Sequence, residues 1–470
     1  MSRKYAIAAL AVSLMLGGCG MLTPIDSPAE ESAQTQLSGS SGTAQTAGTS
    51  AAETTGAAPE TTSAEPQKTP AEQLEALAAG VTSELPLTAD FFAWCISRAG
   101  AEAGERLKAA FSAGTYTDAE LYALTGMTAK AAKDLYSGAA DREDNIIVRA
   151  GDGQPGISMT FTGDISFADN WTVMQYCKTT ENGITDCISP FLVERLNASD
   201  ISCINNEFCF SDRGTPMAGK MYTFRAATQN VALYHTLGTD IVDLANNHSF
   251  DFGQEAFLDT LDTLDGAGIQ RMGGGRNIEE ASRPVYYIIE GKKIAFVAAT
   301  RAEKNIMTPE ATDTTPGVLR CYDPSRFLEV IREAKENADY VIANLHWGTE
   351  NSHALEKVQS ETARQYIDAG ADLIIGAHAH CLQGIEYYKH VPIVYNLGNF
   401  WFSHYDIDTG LLWVNLTEDN QTELTFYPAT QRDCKTTYVG GEAEGDRILQ
   451  CMRDYSINAD FAADGTVTEN

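Results

Sequence analysis

The chain has 470 residues and a formal net charge of −31, from 64 acidic and 33 basic side chains. This length allows a large hydrophobic core and more than one domain. The acidity argues against a nucleic-acid surface, which needs clustered Lys and Arg, and it is compatible with multivalent cations as partners. A solvated acidic surface that aids solubility explains most of the charge more simply.

The first 19 residues have the pattern of a secretory signal. Arg3 and Lys4 precede an apolar stretch, AIAALAVSLML, and small residues precede Cys19. The letters LGGC that end at Cys19 resemble a bacterial lipobox, in which the cysteine is lipidated and becomes the first residue after cleavage. A plain signal peptide is the alternative. We therefore expect an extracytoplasmic protein that is lipid-anchored to the bacterial cell membrane through Cys19.

Two segments separate this signal from the main domain. Residues 20–84 are rich in Ser, Thr and Ala, contain no aromatic residue and carry a single basic one, Lys68. Such a composition cannot bury enough apolar surface to fold, so the segment is predicted to be a disordered tether. Residues 85–145 are Ala-rich, with aliphatic and aromatic residues at helical spacing, and are predicted to form a small helical module.

From residue 155 to 435, apolar runs alternate with helical patterns, which predicts an α/β domain with a largely parallel or mixed sheet. The strand candidates are 157–163, 201–205, 240–245, 293–299, 339–345, 372–376 and 391–396, with hairpins around Gly291 and within 410–427. The helix candidates are 188–197, 226–237, 253–266, 324–336 and 354–369. Residues 436–470 are predicted to be an acidic tail with one short helix.

Polar side chains with metal-ligating groups follow five of the apolar runs. They are Asp164, Glu207, Asn247, His346, His378 and His380. Because the carboxyl ends of parallel strands meet at one edge of a sheet, these side chains are expected to converge. Two carboxylates, one amide and three imidazoles are enough for one or two divalent metals of the Mn, Fe or Zn class.

A pair of such metals, ~3.5–4 Å apart, holds a hydroxide and stabilises in-line displacement at phosphorus. His248, beside Asn247, is the candidate general acid, and Asp251 is a candidate for orienting it. Singly, each residue has a structural alternative: a strand end for the two histidines at 378 and 380, a turn at Asn247, a helix cap at Asp164. Because all of these residues follow strand-like runs, a shared metal site is favoured over separate structural roles.

Several motifs make the sequence recognisable. FTGDISF, INNEFCFS, DIVDLANNHSFDFG, NLHWGTE and GADLIIGAHAHCLQGIEYYKHVPIVYNLGNFWFS lie within residues 157–405. They resemble the CapA, or poly-γ-glutamate capsule synthesis, family of the calcineurin-like metallophosphoesterase superfamily. The resemblance implies a four-layered α/β/β/α sandwich with metals at the strand ends. It assigns Asp164, Glu207 and His380 to one metal, and Glu207, Asn247, His346 and His378 to a second, with His248 as catalytic acid.

The chain departs from the broader superfamily pattern at two positions. Ser166 stands where an Asp-x-His motif would have histidine, and the bridging residue Glu207 replaces an aspartate. The number of metals therefore stays open at one or two. Arg225 and Glu350 are candidate substrate contacts, with a structural salt bridge as the equal alternative. Asn399, in the LGNF loop, either lines the site or forms a turn.

These patterns predict a cell-surface lipoprotein with a metal-dependent, phosphoesterase-like hydrolase domain that acts in capsule (poly-γ-glutamate) or cell-envelope polymer synthesis or processing. The alternative is a non-catalytic polymer-binding or export-assembly factor that keeps the fold. Expected partners are an anionic envelope or capsular polymer, the membrane through the lipid anchor, and polymer-synthase membrane proteins, but no nucleic acid. A nutrient-scavenging nucleotidase is a third option, although no nucleotide-stacking motif stands out.

Overall fold

The computed structural model describes residues 106–110, 145–149, 151, 154–302 and 307–470. Cys19, the predicted tether and the predicted helical module lie outside these residues, except that residues 106–110 are helical. Within the described ranges, no helix has both the length and the apolar character that a membrane span requires.

The strands, in chain order, are β1 (Ile146–Arg149), β2 (Ile157–Ile165), β3 (Ile201–Asn206), β4 (Cys209–Phe210), β5 (Arg225–Ala226), β6 (Ile241–Asp243), β7 (Gln270–Met272), β8 (Gly274–Gly275), β9 (Val285–Ile289), β10 (Lys292–Thr300), β11 (Gly317–Val318), β12 (Tyr340–His346), β13 (Leu373–Ala377), β14 (Leu382–Tyr388), β15 (Val391–Leu397), β16 (Asn399–Trp401), β17 (Ile407–Leu416), β18 (Thr422–Arg432), β19 (Lys435–Tyr438), β20 (Ala459–Phe461) and β21 (Thr466–Glu469). The α-helices are α1 (Thr172–Cys177), α2 (Pro190–Ala198), α3 (Ala232–Thr236), α4 (Gly253–Ala267), α5 (Ile278–Ser282), α6 (Ser325–Asn337), α7 (Lys357–Ala369) and α8 (Ala443–Tyr455).

Two large mixed sheets form the centre of the fold. One has the strand order β1-β9-β10-β12-β13-β15-β14, and the larger one β20-β21-β18-β17-β2-β3-β6-β7. Each contains a parallel block: β10, β12, β13 and β15 in the first, and β2, β3, β6 and β7 in the second. Both blocks therefore present the carboxyl ends of their strands at an edge, as the alternation of strands and helices predicts.

The layers follow from which residues share a core. Between the sheets, Phe161 of β2 packs against Phe296 of β10, with ring centroids 6.4 Å apart. Helices α1–α4 cover the outer face of the larger sheet through side chains such as Phe257. Helices α6 and α7 cover the other sheet, where Phe327 meets Tyr366 edge to face at 5.1 Å. The predicted four-layered α/β/β/α sandwich is thereby confirmed.

Three elements illustrate where the structure differs from the sequence expectation. The helix predicted at 226–237 is a 3₁₀ turn, Thr228–Val231, followed by the short α3. Strand β14 has no counterpart in the prediction; its pairing with β15 is antiparallel. Strand β1 lies before the expected domain start and pairs in parallel with β9. Strand β1 depends on a partner that is distant in sequence, which local patterns do not report.

The C-terminal residues form part of the larger sheet, where the sequence predicts a loose tail. The expected short helix is α8, and after it β20 pairs with β21, which in turn pairs with β18. Phe461 is 2% exposed and packs against Phe426, with centroids 6.3 Å apart. Val467 is also buried. A few alternating apolar residues are enough to hold an acidic segment in place once a sheet edge is available.

Candidate metal centre

The predicted metal ligands lie together at the carboxyl ends of strands from both sheets. Asp164 is the penultimate residue of β2, Glu207 follows β3, and His346 ends β12. Asn247 follows β6, while His378 and His380 follow β13. Both of these last histidines have positive φ, 93° and 54°, in a tight turn that directs the chain across the sheet edge.

Glu207 is at the centre of the cluster. Its side chain is fully buried, and its Oε1 has no hydrogen-bond partner among the described residues. The Nε2 atom of His346 lies 3.6 Å from this oxygen, and those of His248 and His380 lie 3.8 Å from it. These separations exceed hydrogen-bond lengths, but atoms that each bind one cation at about 2.0–2.2 Å lie at such distances from each other.

Two ligand groups share Glu207. One contains Glu207, His346 and His378, and the other contains Asp164, Glu207 and His380, with the ligand atoms of each group within 4.8 Å of one another. His378 Nδ1 is buried without a hydrogen-bond partner in the described chain. Asn247 Oδ1 lies 2.8 Å from His346 Nε2 and extends the first group. The described chain therefore has groups of Asp, Glu and His that fit metal binding, and this mixed oxygen and nitrogen set suits Mn, Fe or Zn.

The electrostatics of the cluster also fit a cation. Burial, and then the nearby charge of Asp164, raise the pKa of Glu207 well above its usual value. Burial lowers the pKa of His346, and together with His380 it lowers that of His378 to about 3, so both imidazoles are neutral. Burial alone would raise the pKa of Asp164, but its hydrogen bond with His380 holds that pKa below the usual range. Neutral imidazoles and carboxylates are the forms that bind metals.

Asn205 orients the carboxylates, and sequence reasoning missed it. Its Nδ2 donates to Asp164 Oδ1 at 2.8 Å and to Glu207 Oε2 at 3.2 Å, and lies 3.4 Å from His346 Nδ1. Asn246 in turn donates to Asn205 Oδ1 at 3.2 Å. The sequence INNE could have indicated this role, because Asn205 lies two positions before Glu207 and therefore on the same face at the end of the strand.

His248 and Asp251 form a buried pair next to these ligands. His248 Nδ1 lies 2.6 Å from Asp251 Oδ2, which directs Nε2 towards Glu207. The segment that joins them is a turn, which brings the two side chains together. Burial lowers the pKa of His248, and the carboxylate of Asp251 opposes that shift. Phe224 packs on the imidazole, with ring centroids 4.6 Å apart, and its backbone N–H donates to Asp251.

Lys220 is the second residue that sequence reasoning missed. Its side chain is 7% exposed, its Nζ lies 2.8 Å from Asp251 Oδ1, and it donates to the backbone carbonyl of Asn247. Lys220 therefore connects Asp251, the partner of the candidate acid, to the loop that carries the candidate ligand Asn247. No sequence pattern marks it, because it lies in a polar loop between β4 and β5.

A Lys220→Met variant is expected to lose about 3–5 kcal/mol of unfolding free energy, because it leaves the Asp251 carboxylate buried without its cation. Urea unfolding measures this loss. Adding Asp251→Asn should restore part of it, since no unpaired charge then remains. The control Lys357→Met breaks an exposed pair with Glu361 and should leave stability nearly unchanged. Equal stabilities of the wild type and Lys220→Met would contradict the prediction.

The three candidate substrate contacts have different positions. The guanidinium of Arg225 lies 4.3 Å from the ring of Phe252 and donates to the carbonyl of Arg213 at 2.9 Å, so it contacts loop residues and not the ligands. Glu350 is exposed, and its charge contributes to the raised pKa of Glu207. Asn399 is buried, with Oδ1 2.8 Å from His380 Nδ1, so it orients that imidazole.

An aromatic wall, which we define as Trp171, Tyr222, Phe224 and Phe402, runs from the imidazoles to the surface. Phe402 packs on His380 at 4.9 Å, and Trp171 packs on Phe224 at 4.9 Å and donates its indole N–H to the carbonyl of Phe402. Tyr222 contacts Trp171 at 6.0 Å and is 54% exposed. The buried centre is thus connected to solvent along a surface that can contact an apolar part of a ligand.

Ser166, where the superfamily pattern would have histidine, is fully buried. Its backbone N–H donates to Trp401, and its Oγ accepts from the N–H of Ala168 at 3.4 Å. The hydroxyl therefore serves the local backbone, and the group around Asp164 has one imidazole, that of His380.

A family model described as "Bacterial capsule synthesis protein PGA_cap" matches residues 158–404, which is just over half of the chain. The chain belongs to this family. The resemblance to CapA proteins that the motifs indicate is confirmed, and all of the candidate ligands of this PGA_cap domain fall inside the matched region.

Three relatives with similar sequences are consistent with this family. The chain is 32% identical over 249 residues to the PGA biosynthesis protein CapA of Bacillus subtilis, covering 52% of this chain and 63% of that protein. It is 30% identical over 250 residues to the capsule biosynthesis protein CapA of Bacillus anthracis, covering 52% and 60%. A probable polyglutamine synthesis accessory protein of Mycobacterium tuberculosis is 31% identical over 212 residues, covering 43% and 55%. The chain thus spans less than two thirds of the length of each of these relatives.

Proposed function

We propose that this PGA_cap domain is a metal-dependent hydrolase that acts on a capsular or cell-envelope polymer. The observation that carries the proposal is the buried Glu207 Oε1, which has no hydrogen-bond partner in the described chain and is surrounded by three imidazole nitrogens at 3.6–3.8 Å. An unpaired buried carboxylate oxygen costs free energy unless a cation compensates it. A catalytic cation bound at Glu207 would provide this compensation.

The residues of the centre have three separate roles: metal binding, proton donation and exclusion of water. Asp164, Glu207, Asn247, His346, His378 and His380 would hold one or two divalent ions. When bound, such an ion supplies Lewis-acid stabilisation of negative charge that develops at the scissile group. In its doubly protonated form, His248 would donate its Nε2 proton to the leaving atom while its Nδ1–H donates to Asp251, whose carboxylate favours that charged form. Phe224 and Phe402 exclude water from the imidazoles that they cover.

The substrate class follows from the relatives' names, which refer to capsule and poly-glutamate synthesis. For this chain we propose an anionic envelope or capsular polymer, such as poly-γ-glutamate, whose phosphoester or amide linkage reaches the centre along the aromatic wall. The lipobox at Cys19 supports an extracytoplasmic, lipid-anchored location. Polymer-synthase membrane proteins are the proposed neighbours there.

Ser166 favours a second candidate function, a non-catalytic factor that binds the polymer or assists its export. Since its hydroxyl accepts from a backbone N–H, the ion at Asp164 would have few ligands and would bind weakly. Complementation separates the two functions. If ligand variants restore polymer export fully in a strain that lacks the protein, catalysis is dispensable and the second function holds.

The direct test compares the wild type with His378→Ala for bound metal and for hydrolysis of a generic phosphodiester and of γ-linked glutamate oligomers. We expect the wild type to purify with divalent metal and to hydrolyse at least one substrate, and His378→Ala to lose both. The exposed His235→Ala is the control and should match the wild type. A wild type that holds no metal, or hydrolysis that persists unchanged in His378→Ala, would overturn the proposal.

A further inference from the structure

A second cavity lies on the outer face of the larger sheet, far from the metal centre. Its volume is about 330 Å³, and it is lined by Arg195 of α2 and by residues of β17, β18 and the start of β2. We call it the Arg195 groove and define it by Arg195, Trp413, Asn415, Glu423 and Tyr427. Its size is at the lower end of the range for small-ligand sites, roughly 300–1,000 Å³.

The strand register places the groove at the opposite end of β2 from the candidate ligands. Asn415 pairs with Ser158, which is six residues before Asp164, a distance of about 20 Å along the strand. Val414 faces the core between the two sheets, so its neighbours Trp413 and Asn415 face the other side. The groove is therefore independent of the metal centre.

Arg195 is a cation with unused hydrogen-bonding capacity. Its guanidinium carbon lies 5.2, 5.6 and 5.8 Å from the ring centroids of Phe191, Trp413 and Tyr427. Its Nε is buried without a hydrogen-bond partner, and among the described residues it forms cation–π contacts but no ion pair. This is notable in a chain with 64 acidic and 33 basic side chains. A buried donor without an acceptor calls for an explanation, and a ligand is one.

The chemistry of a guanidinium indicates which group would bind. Its planar array of N–H donors matches a carboxylate, which it binds through two parallel charge-assisted hydrogen bonds. The rings of Phe191, Trp413 and Tyr427 restrict the side chain of Arg195, so less conformational freedom is lost when the pair forms. A carboxylate ligand would satisfy Arg195.

The other lining groups indicate what surrounds that carboxylate. Asn415 Nδ2 donates to Glu423 Oε2 at 2.8 Å, which leaves oxygen atoms of both side chains as acceptors. Acceptors need a ligand that carries donors, and sugar hydroxyls are donors. Trp413 and Tyr427 are partly exposed and offer apolar faces to the C–H groups of a pyranose ring. A carboxylate placed directly against Glu423 would be repelled, so the ligand's hydroxyls face that side chain and its carboxylate faces Arg195.

We propose that the Arg195 groove binds an acidic saccharide, with the carboxylate of one uronic acid residue on Arg195 and its hydroxyls on Asn415 and Glu423. Such a site would attach the domain to a carbohydrate of the cell envelope while the metal centre stays accessible to its own substrate. This activity goes beyond the proposed hydrolase function and does not depend on it.

Calorimetric titration of the full chain with digalacturonate tests the proposal. We expect saturable binding that Arg195→Gln weakens about tenfold or more, because the charge-assisted pair is lost. The exposed Arg332→Gln makes the same charge change elsewhere and should bind like the wild type. His378→Ala should also bind like the wild type, which separates failure of this site from failure of the hydrolase proposal.

Two further ligands and two further variants define the outcome. The uncharged disaccharide digalactose should bind at least about tenfold more weakly than digalacturonate, and γ-glutamyl-glutamate should bind more weakly as well. Glu423→Gln, at an exposed position, and Arg195→Lys should each weaken binding several-fold and serve if Arg195→Gln does not fold. The proposal is overturned if the wild type does not bind digalacturonate, if digalactose binds equally, if the dipeptide binds more tightly, or if these variants bind normally.

Discussion

A Glu207→Gln variant is expected to lose metal from both ligand groups, while its metal-free form stays at least as stable as the metal-free wild type. Glu207 is common to the two groups and fully buried, so its replacement affects both at once. The amide has the same shape but no charge, and it is a poorer ligand for a divalent cation. In the metal-free state the same change removes a charge that burial disfavours.

Elemental analysis of the purified proteins, and thermal unfolding with and without added Mn²⁺ or Zn²⁺, measure both halves of this prediction. At free metal about 100 times the dissociation constant, the wild type should gain about 2.7 kcal/mol, and the variant should gain little. Asp243→Asn is the matched control, because Asp243 is also buried with a pKa raised well above its usual value but belongs to neither ligand group. Full metal content in Glu207→Gln would refute the shared-ligand role.

A His248→Asn variant is expected to keep its metal but to lose about 10²–10⁴ in the rate of hydrolysis of a phosphodiester with an alkyl leaving group. An alkoxide leaves poorly unless it is protonated, and His248 is the candidate donor because Asp251 holds its Nδ1 at 2.6 Å. A nitrophenolate leaves readily without a proton. The loss should therefore be much smaller with a nitrophenyl diester.

Rates with the two diesters, measured beside the metal content, distinguish catalysis from structure. A merely structural role of His248 would reduce both rates by the same factor, whereas an acid role reduces mainly the alkyl rate. His235→Asn is the control, since His235 is exposed on α3. Asp251→Asn should show a weaker form of the same selectivity, because the ring of His248 then loses its charged partner. Equal losses on both substrates would exclude the acid role.

The sequence was most informative where one strand provides both the position and the chemistry of a residue. His346 ends β12, Glu207 follows β3, and His378 and His380 follow β13. Parallel strands joined by crossovers bring their carboxyl ends to one edge of a sheet, so the residue after each run identified the candidate ligands. The ligands come from two sheets, and only the packing of these sheets brings the two edges together. The layer order was implied by the family resemblance alone.

Sequence reasoning was least informative where function depends on contacts between distant segments. Lys220 reaches Asp251 from a loop without any pattern. Arg225 lies in a motif-like segment, but its guanidinium packs on Phe252 away from the candidate ligands. The C-terminal strands β20 and β21 read as a loose tail because their apolar residues are few, and only the free edge of β18 gives them a partner.

The sequence by itself thus determined the α/β alternation and the six candidate ligands, because these depend on local patterns and on residues near the ends of strands. Its motifs indicated the family, and that resemblance implied the sandwich. Only the tertiary structure decided that Asn205 bridges Asp164 and Glu207, that Glu207 Oε1 has no hydrogen-bond partner in the described chain, and that Arg195 lies among three rings without an ion pair. Such features arise from the packing of side chains that are far apart in the chain. Local patterns carry no record of which distant groups will meet.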